Sequence, residues 1–395
     1  MDTITHALSG ALLAIVTAPG RSPSAAKHMD VAEKLLLRLS SEGSLIHRRL
    51  RAPHFRHPWR SRERPPGTAR PDALSRRARL AAGAAAAAFP DIDFALRAID
   101  TLTYLNLHQG VTHSLILLPA WALALAWLFA ILSRHRYQWS AFYGIAAMGL
   151  AIHIGGDLVT AYGTQVLAPF SDVRFSWPLV FVIDPYVSVI LIAGLVAARL
   201  WPARRLAPVA FLVLAGYLGL QAVLQQRAID TGAVYARTQR LDAAVSHALP
   251  QPLSPFHWLI IVQHGDSYYE TRVNLAGGHR DSAPATAGFF ARLVAGYQPV
   301  AAATWTRHTR FGEHPADMAL ARPAFEHEAL ADFRRFARFL VLDHVETHPD
   351  RACVWYTDLR FGIPGLPPSF RYGLCRSGSD SGWQLVRWRG SFYID

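Results

Sequence analysis

The sequence predicts an α-helical polytopic membrane domain of about six crossings, followed by a soluble α+β domain. Three observations carry this. Charged residues make up only 17% of the 395, against about a quarter in an average soluble domain. That excludes a disordered tail protein and argues against an ordinary cytosolic enzyme. The apolar residues gather into long runs between about Leu80 and Leu224. From Gln225 onward the pattern becomes that of a mixed soluble domain.

The runs come in order. Ile4–Ala18 is apolar and rich in small residues, and no basic region precedes it as in a cleavable secretory signal. Leu80–Phe89 is mostly alanine. Ser114–Leu132 carries no charge, and Trp139–Ile154 follows after a short Arg-His-Arg loop. Leu179–Leu200 contains Asp184, and Ala207–Leu224 is again uncharged. The four long runs approach the ~20 residues that cross a bilayer. Buried core helices of a large soluble protein are the competing reading.

Charge orients the set. The formal net charge is +12, and Arg21–Arg79 alone holds 15 Lys+Arg against 5 Asp+Glu. The short loops Arg134–Arg136 and Arg204–Arg205 are also basic. Basic loops stay in the cytoplasm, so these three connections fall on one side if every run crosses. The expected organisation is then a first membrane helix at 1–20, a basic cytoplasmic insert at 21–79, a helical membrane domain at 80–224 and an outward-facing α+β domain at 225–395. A multi-pass membrane protein is therefore expected. The insert either binds anionic lipid headgroups or serves only to anchor topology. Its aromatics are too few for a specific nucleic-acid platform.

In the last segment, FHWLIIVQHGDSYYETRVNL reads as two strands around a His-Gly-Asp turn. CVWYTDLRFG and WQLVRWRGSFYI also read as strands, and FEHEALADFRRFARFLVL as a helix. The two cysteines, Cys353 and Cys375, rule out a disulfide framework and a Cys-rich zinc module. They either pair in an oxidising compartment or remain buried thiols.

Ionisable residues at the ends of apolar helices are the chemical anomaly. His6 opens the first run. Asp91 and Asp93 follow the alanine run. His108 and His113 precede the first long run, and His153 with Asp157 closes the next. With alternating crossings, all of them reach one membrane face. His153 and Asp157 are four residues apart and share a helix face. Thr-His recurs at two helix entries, Thr5-His6 and Thr112-His113. Imidazole with carboxylate suits zinc, manganese or iron. Taken singly, each residue also has an ordinary reading as a helix cap, a turn residue or an intramembrane hydrogen-bonded pair.

At MDTITHALSGALL, FPDID, HQGVTHSLILLP and HIGGDLVTAYGTQVLAPF the chain resembles the YdjM-type inner-membrane family, described as membrane-bound metal-dependent hydrolases. The resemblance covers 1–20 and 80–225 and extends more softly into the C-terminal domain. It implies His6, Asp91, Asp93, His113, His153 and Asp157 as ligands of one or two divalent metal ions, with zinc expected. Gln109 stands where the family's HRGxTHS motif has arginine, and the basic insert exceeds the family's usual connection. The pattern is also similar to the all-helical zinc-dependent phospholipase C group.

These readings combine into a membrane-bound hydrolase of an ester or phosphoester. Water is activated by metal at the outer face, with Asp93 or His108 as general base. Membrane lipids are the expected partners. The alternatives are a scaffold that binds a partner through its outer domain, and a transporter with structural His and Asp. Asp184 fits the transporter best.

Overall fold

The computed structural model describes residues 1–18, 73–201, 206–277, 288–378, 382–388 and 393–394. Most of the basic insert, and the Arg204–Arg205 loop, lie outside the described residues.

Helix α1, Thr3–Val16, starts at Asp2, whose side chain accepts from Thr5 N at 3.0 Å. Helix α2, Arg76–Ala88, starts at Ser75 in the same way. The two touch through glycine: a Cβ on Gly10 would stand 2.2 Å from the Gly83 carbonyl oxygen. Gly149, on α5 (Trp139–Leu158), meets Ala86 and Ala87 of α2. Small residues at such contacts let helix backbones approach closely. A 3-10 stretch, Phe89–Ala98, follows α2 and leads to α3, Thr101–Leu107, and α4, Leu118–Leu132. Helices α6, Pro185–Leu200, and α7, Leu206–Thr238, complete the helical part.

Among the described residues, two helices are long and apolar enough to cross a membrane, Trp139–Leu158 and Leu206–Thr238. A third exists if Thr101–His113 and Leu118–Leu132, bent by 81°, form one broken span. Six crossings are therefore not supported. α1, α2 and α6 have only 14, 13 and 16 residues, short of the ~20 that span a bilayer. The run Ser114–Leu132 spends its first residues in a turn, and Leu179–Leu200 spends its first in a loop. Large apolar side chains still face outward on α4, α6 and α7, including Trp127, Leu132, Val189, Ile192, Leu212 and Val223. A surface this apolar suits lipid rather than water.

The sheets begin at Val245. Strands β1 (Val245–Pro250), β2 (His257–His264) and β3 (Ser267–Asn274) pair antiparallel in that order. After the short helix α8, Phe289–Ala295, the short β4, Gln298–Pro299, runs parallel to the end of β3. Strand β5, Thr306–Thr309, pairs with its start. The β2–β3 hairpin turns at Gly265, with φ 58°. β2 is buried on both faces. Trp258 and Ile260 pack with Leu224 and Ala228 of α7, while Leu259 and Ile261 pack with Phe339 and Val341.

The second sheet is antiparallel, with β6 (Leu340–His348), β7 (Arg351–Asp358), β8 (Arg371–Ser377), β9 (Gln384–Trp388) and β10 (Tyr393–Ile394) side by side. Cys353 and Cys375 face each other across β7 and β8 and form a disulfide. Helices α9, Pro315–Glu326, and α10, Ala331–Phe336, pack on this sheet. The segment Phe325–Leu342, expected to be one helix, is instead broken. α9 ends at Glu326, α10 covers only Ala331–Phe336, and β6 begins at Leu340.

The helical part and the sheets share a core. Leu102 and Leu105 of α3 join Phe333 and Phe336 of α10. Asn106 Nδ2 donates to the Asp332 carbonyl at 3.0 Å. Arg360 Nη1 donates to the carbonyls of Ala161 at 3.2 Å and Tyr162 at 3.0 Å.

Candidate metal centre

Four segments deliver the donors. α1 brings His6, the 3-10 stretch brings Asp91 and Asp93, and a turn before α4 brings His108 and His113. The end of α5 brings His153 and Asp157. That turn requires Gln109 at φ 59°, which aims the histidines on either side of it inward.

Ligand atoms of Asp91, His113, His153 and Asp157 lie within 4.8 Å of one another. His113 Nε2 and His153 Nε2 are 2.9 Å apart. Asp157 Oδ2 is 3.1 Å from the first and 3.2 Å from the second. Asp91 Oδ1 stands 3.6 Å from His153 Nε2 and 3.9 Å from His113 Nε2. Metal–nitrogen bonds of about 2.1 Å in tetrahedral geometry put ligand atoms roughly 3.4 Å apart. The observed spacings bracket that value. His113, His153 and Asp157 are fully buried, and Asp157 Oδ2 has no hydrogen-bond donor among the described residues. A buried carboxylate oxygen without a donor is costly unless a cation meets it. The donor set therefore fits a divalent ion.

The other ring nitrogens are committed. His153 Nδ1 donates to the Ala87 carbonyl at 2.5 Å. Thr112 Oγ1 donates to Asp93 Oδ2 at 2.9 Å and so accepts from His113 Nδ1, also at 2.9 Å. Both bonds leave the Nε2 lone pairs facing the centre, the usual arrangement around a ligating histidine.

A second group joins Asp91 and Asp93 with His108. His108 Nδ1 bonds Asp93 Oδ1 at 2.7 Å. Asp93 Oδ2 also accepts from Gln109 N at 3.2 Å. Burial alone would raise the Asp93 carboxyl, but hydrogen bonds from His108 and Thr112 and the charge of His108 hold it below the ordinary value. Thr3 Oγ1 donates to Asp91 Oδ2 at 2.6 Å. Asp91 belongs to both groups.

His6 falls in neither group. Its Nε2 lies 3.1 Å from Asp157 Oδ1, its ring stacks on His153 at 3.6 Å, and its buried Nδ1 has no partner among the described residues. The Met1 amino group also contacts Asp157 Oδ1. A cavity of about 250 Å³ opens beside the centre, lined by Asp91, Tyr104, His108, Gln109 and Tyr162 among others.

Several contributors escaped the sequence. Thr112 stood inside a noted motif, yet its coupling of His113 to Asp93 has no sequence signature. The Ala87 carbonyl is backbone and carries no residue signal at all. Gln109 turns its side chain aside, accepting from Thr164 Oγ1 at 3.0 Å. Asp184 is a helix cap: its Oδ1 accepts from Tyr186 N and Val187 N, and its Oδ2 from the Tyr217 hydroxyl.

Residues 62–228 match the family described as YdjM inner membrane protein. The Bacillus subtilis (strain 168) protein YfhP, described as uncharacterized, is 29% identical over 147 residues. That alignment covers 35% of this chain and 42% of YfhP, so the chain spans less than half the length of that relative. No solved structure matches.

Proposed function

With a YdjM inner membrane protein segment over residues 62–228 as premise, we propose that the chain is a membrane-bound metal-dependent hydrolase of an ester or phosphoester. The observation that carries this is the convergence of Asp91, His113, His153 and Asp157 on one point. Zinc suits these donors best.

The four residues would hold the ion, which supplies Lewis acidity that makes a water nucleophilic near neutral pH. His108 does the proton work. Its Nδ1 is held by Asp93, so Nε2 is the atom left to take a proton. Asp93 fixes the ring. Tyr104 and Tyr162 flank His108, at ring distances of 4.7 and 5.1 Å, and shield it from water. His6 steadies the Asp157 carboxylate through Oδ1. Asp91 is common to both groups, which favours a second reading in which Asp91, Asp93 and His108 would hold another ion in place of His108's proton role.

In this reading the centre faces the outside of an inner membrane, with the sheets on that side and the basic insert in the cytoplasm against anionic headgroups. Reporter fusions at Arg60 and at the C-terminus should then report opposite compartments. The scaffold and transporter readings lack such a convergence. Asp184, the residue that fits a transporter best, is engaged in capping α6, which supports the hydrolase reading.

The deciding experiment measures metal content and turnover together. Phospholipid, phosphomonoester and acyl-ester substrates are offered to metal-loaded protein in detergent and in liposomes. His113→Ala and Asp157→Ala should abolish turnover and bound metal. Unchanged turnover in both would remove this site from the chemistry.

A further inference from the structure

Beside the metal centre, on the other side of Tyr162, lies a second cavity of about 470 Å³. Arg174, Arg335, Arg338 and Arg360 line it, with Asp172 as the one carboxylate among the described residues of its wall. We propose that this cavity binds the phosphate of an anionic phospholipid headgroup.

The arginines divide by what their nitrogens do. Arg174 spends both terminal nitrogens on backbone carbonyls, at Gly163 (2.8 Å), Asn106 (2.6 Å), Leu105 (3.1 Å) and His108 (3.3 Å). Arg360 bonds Asp358, Phe336, Ala161 and Tyr162. These two form a fixed positive floor. Carbonyls satisfy the donors of Arg174 without cancelling its charge, whereas Asp358 offsets that of Arg360. Arg335 and Arg338 are free to grip. Arg335 meets Asp332 only at 3.6 Å, where both are about 60% exposed. Arg338 makes no salt bridge among the described residues, feeling the Asp358 carboxylate only at longer range, and its guanidinium lies over the Phe339 ring at 5.4 Å. Guanidinium forks match phosphate oxygens bidentately.

The neighbouring segment identifies the source of the phosphate. Between Phe170 and Trp177 the chain is irregular, held by a single bridge between Phe175 and Thr164. Asp172, Arg174 and Ser176 line the cavity. Phe170, Val173 and Trp177 are 81, 54 and 58% exposed. Phe175 lines the cavity and is 41% exposed. One short segment thus carries exposed apolar side chains and, among them, part of an arginine-lined wall. A side chain such as Phe170 or Trp177 settles at the boundary of hydrocarbon and headgroups. That places the arginines at the depth of lipid phosphates, which attract basic side chains.

The readout is lipid retention rather than turnover, so the proposal stands apart from the metal reading. Full-length protein purified in detergent is loaded with phosphatidylglycerol or phosphatidylcholine and examined by native mass spectrometry. Phosphatidylglycerol should be retained and phosphatidylcholine should not. Arg335→Gln and Arg338→Gln should each weaken retention about fivefold, the worth of one basic residue near an anionic surface. Both positions are exposed, so neither change endangers folding. Phe170→Ser with Trp177→Ser should weaken phosphatidylglycerol binding but leave competition by glycerol phosphate intact. Equal retention of both lipids, or undiminished phosphatidylglycerol in the double arginine variant, would overturn the proposal. Glycerol phosphate binding as tightly as the lipid would assign the cavity to a soluble phosphate and overturn the membrane part.

Discussion

Gly10 and Gly83 hold their helices at backbone contact, and a Cβ on either would stand within 2.5 Å of the other's carbonyl oxygen. His6 sits one turn before Gly10 on the same helix, so this contact sets how far His6 enters the centre.

The first prediction follows from that contact. Gly10→Leu must push α1 off α2. It should destabilise the protein by about 1–3 kcal/mol, the usual cost of overpacking, and lower metal affinity as well. Thermal unfolding in detergent measures the first and chelator competition the second. Gly144→Ala is the control, because a Cβ there meets nothing within 4 Å. A stable, metal-tight Gly10→Leu protein would show that the contact is not structural.

Thr112→Val should weaken the metal without touching a ligand. Its hydroxyl accepts from His113 Nδ1 and donates to Asp93. Removing such an outer partner typically costs about 10–100-fold in affinity. Titration against a chelator of known strength reads the change, and Thr112→Ser should restore it. An equal affinity in Thr112→Val would remove the threonine from the centre.

Arg360→Met should loosen the seam between the sheets and the loop at Tyr162. It leaves the Asp358 carboxylate buried without its cation, with a loss of roughly 3–5 kcal/mol for breaking a buried pair. The change should appear in limited proteolysis as new cleavage within 159–184. Protection equal to that of the parent protein would count against the seam.

Acid should destabilise the sheet domain through His247. Burial first, and the charge of Arg338 second, push its pKa from 6.5 down to about 4. The folded protein thus keeps this ring neutral where the unfolded chain protonates it. Between pH 6.5 and about 4 the unfolded state binds more protons, so stability falls as pH falls through that window and is level above it. His247→Phe should flatten this part of the curve in denaturant titrations followed by tryptophan fluorescence. An unchanged slope in the variant would assign the acid sensitivity elsewhere.

The sequence exposed the donors because histidine and aspartate at the edge of apolar runs are conspicuous. It also marked β2 and β3 as two strands around the Gly265 turn. It overstated the crossings for a physical reason. Hydropathy scores apolar loops such as Leu179–Ile183 and short buried helices such as α1 like lipid-facing spans. The phosphate cavity was invisible because it is assembled from distant pieces: Arg360 and Tyr162 are 198 positions apart. No local pattern marks arginines that meet only after the sheets dock.

Helix α7 runs for 33 residues without interruption, about 50 Å of rod. Its first half carries the exposed Leu212, Val213 and Leu220, and further along Leu224 and Ala228 pack under Trp258 of the sheet. Such a rod has no elbow where lipid-facing surface gives way to sheet. Any tilt of α7 in a bilayer therefore swings the sheet domain through the same angle, like a mast carrying its sail.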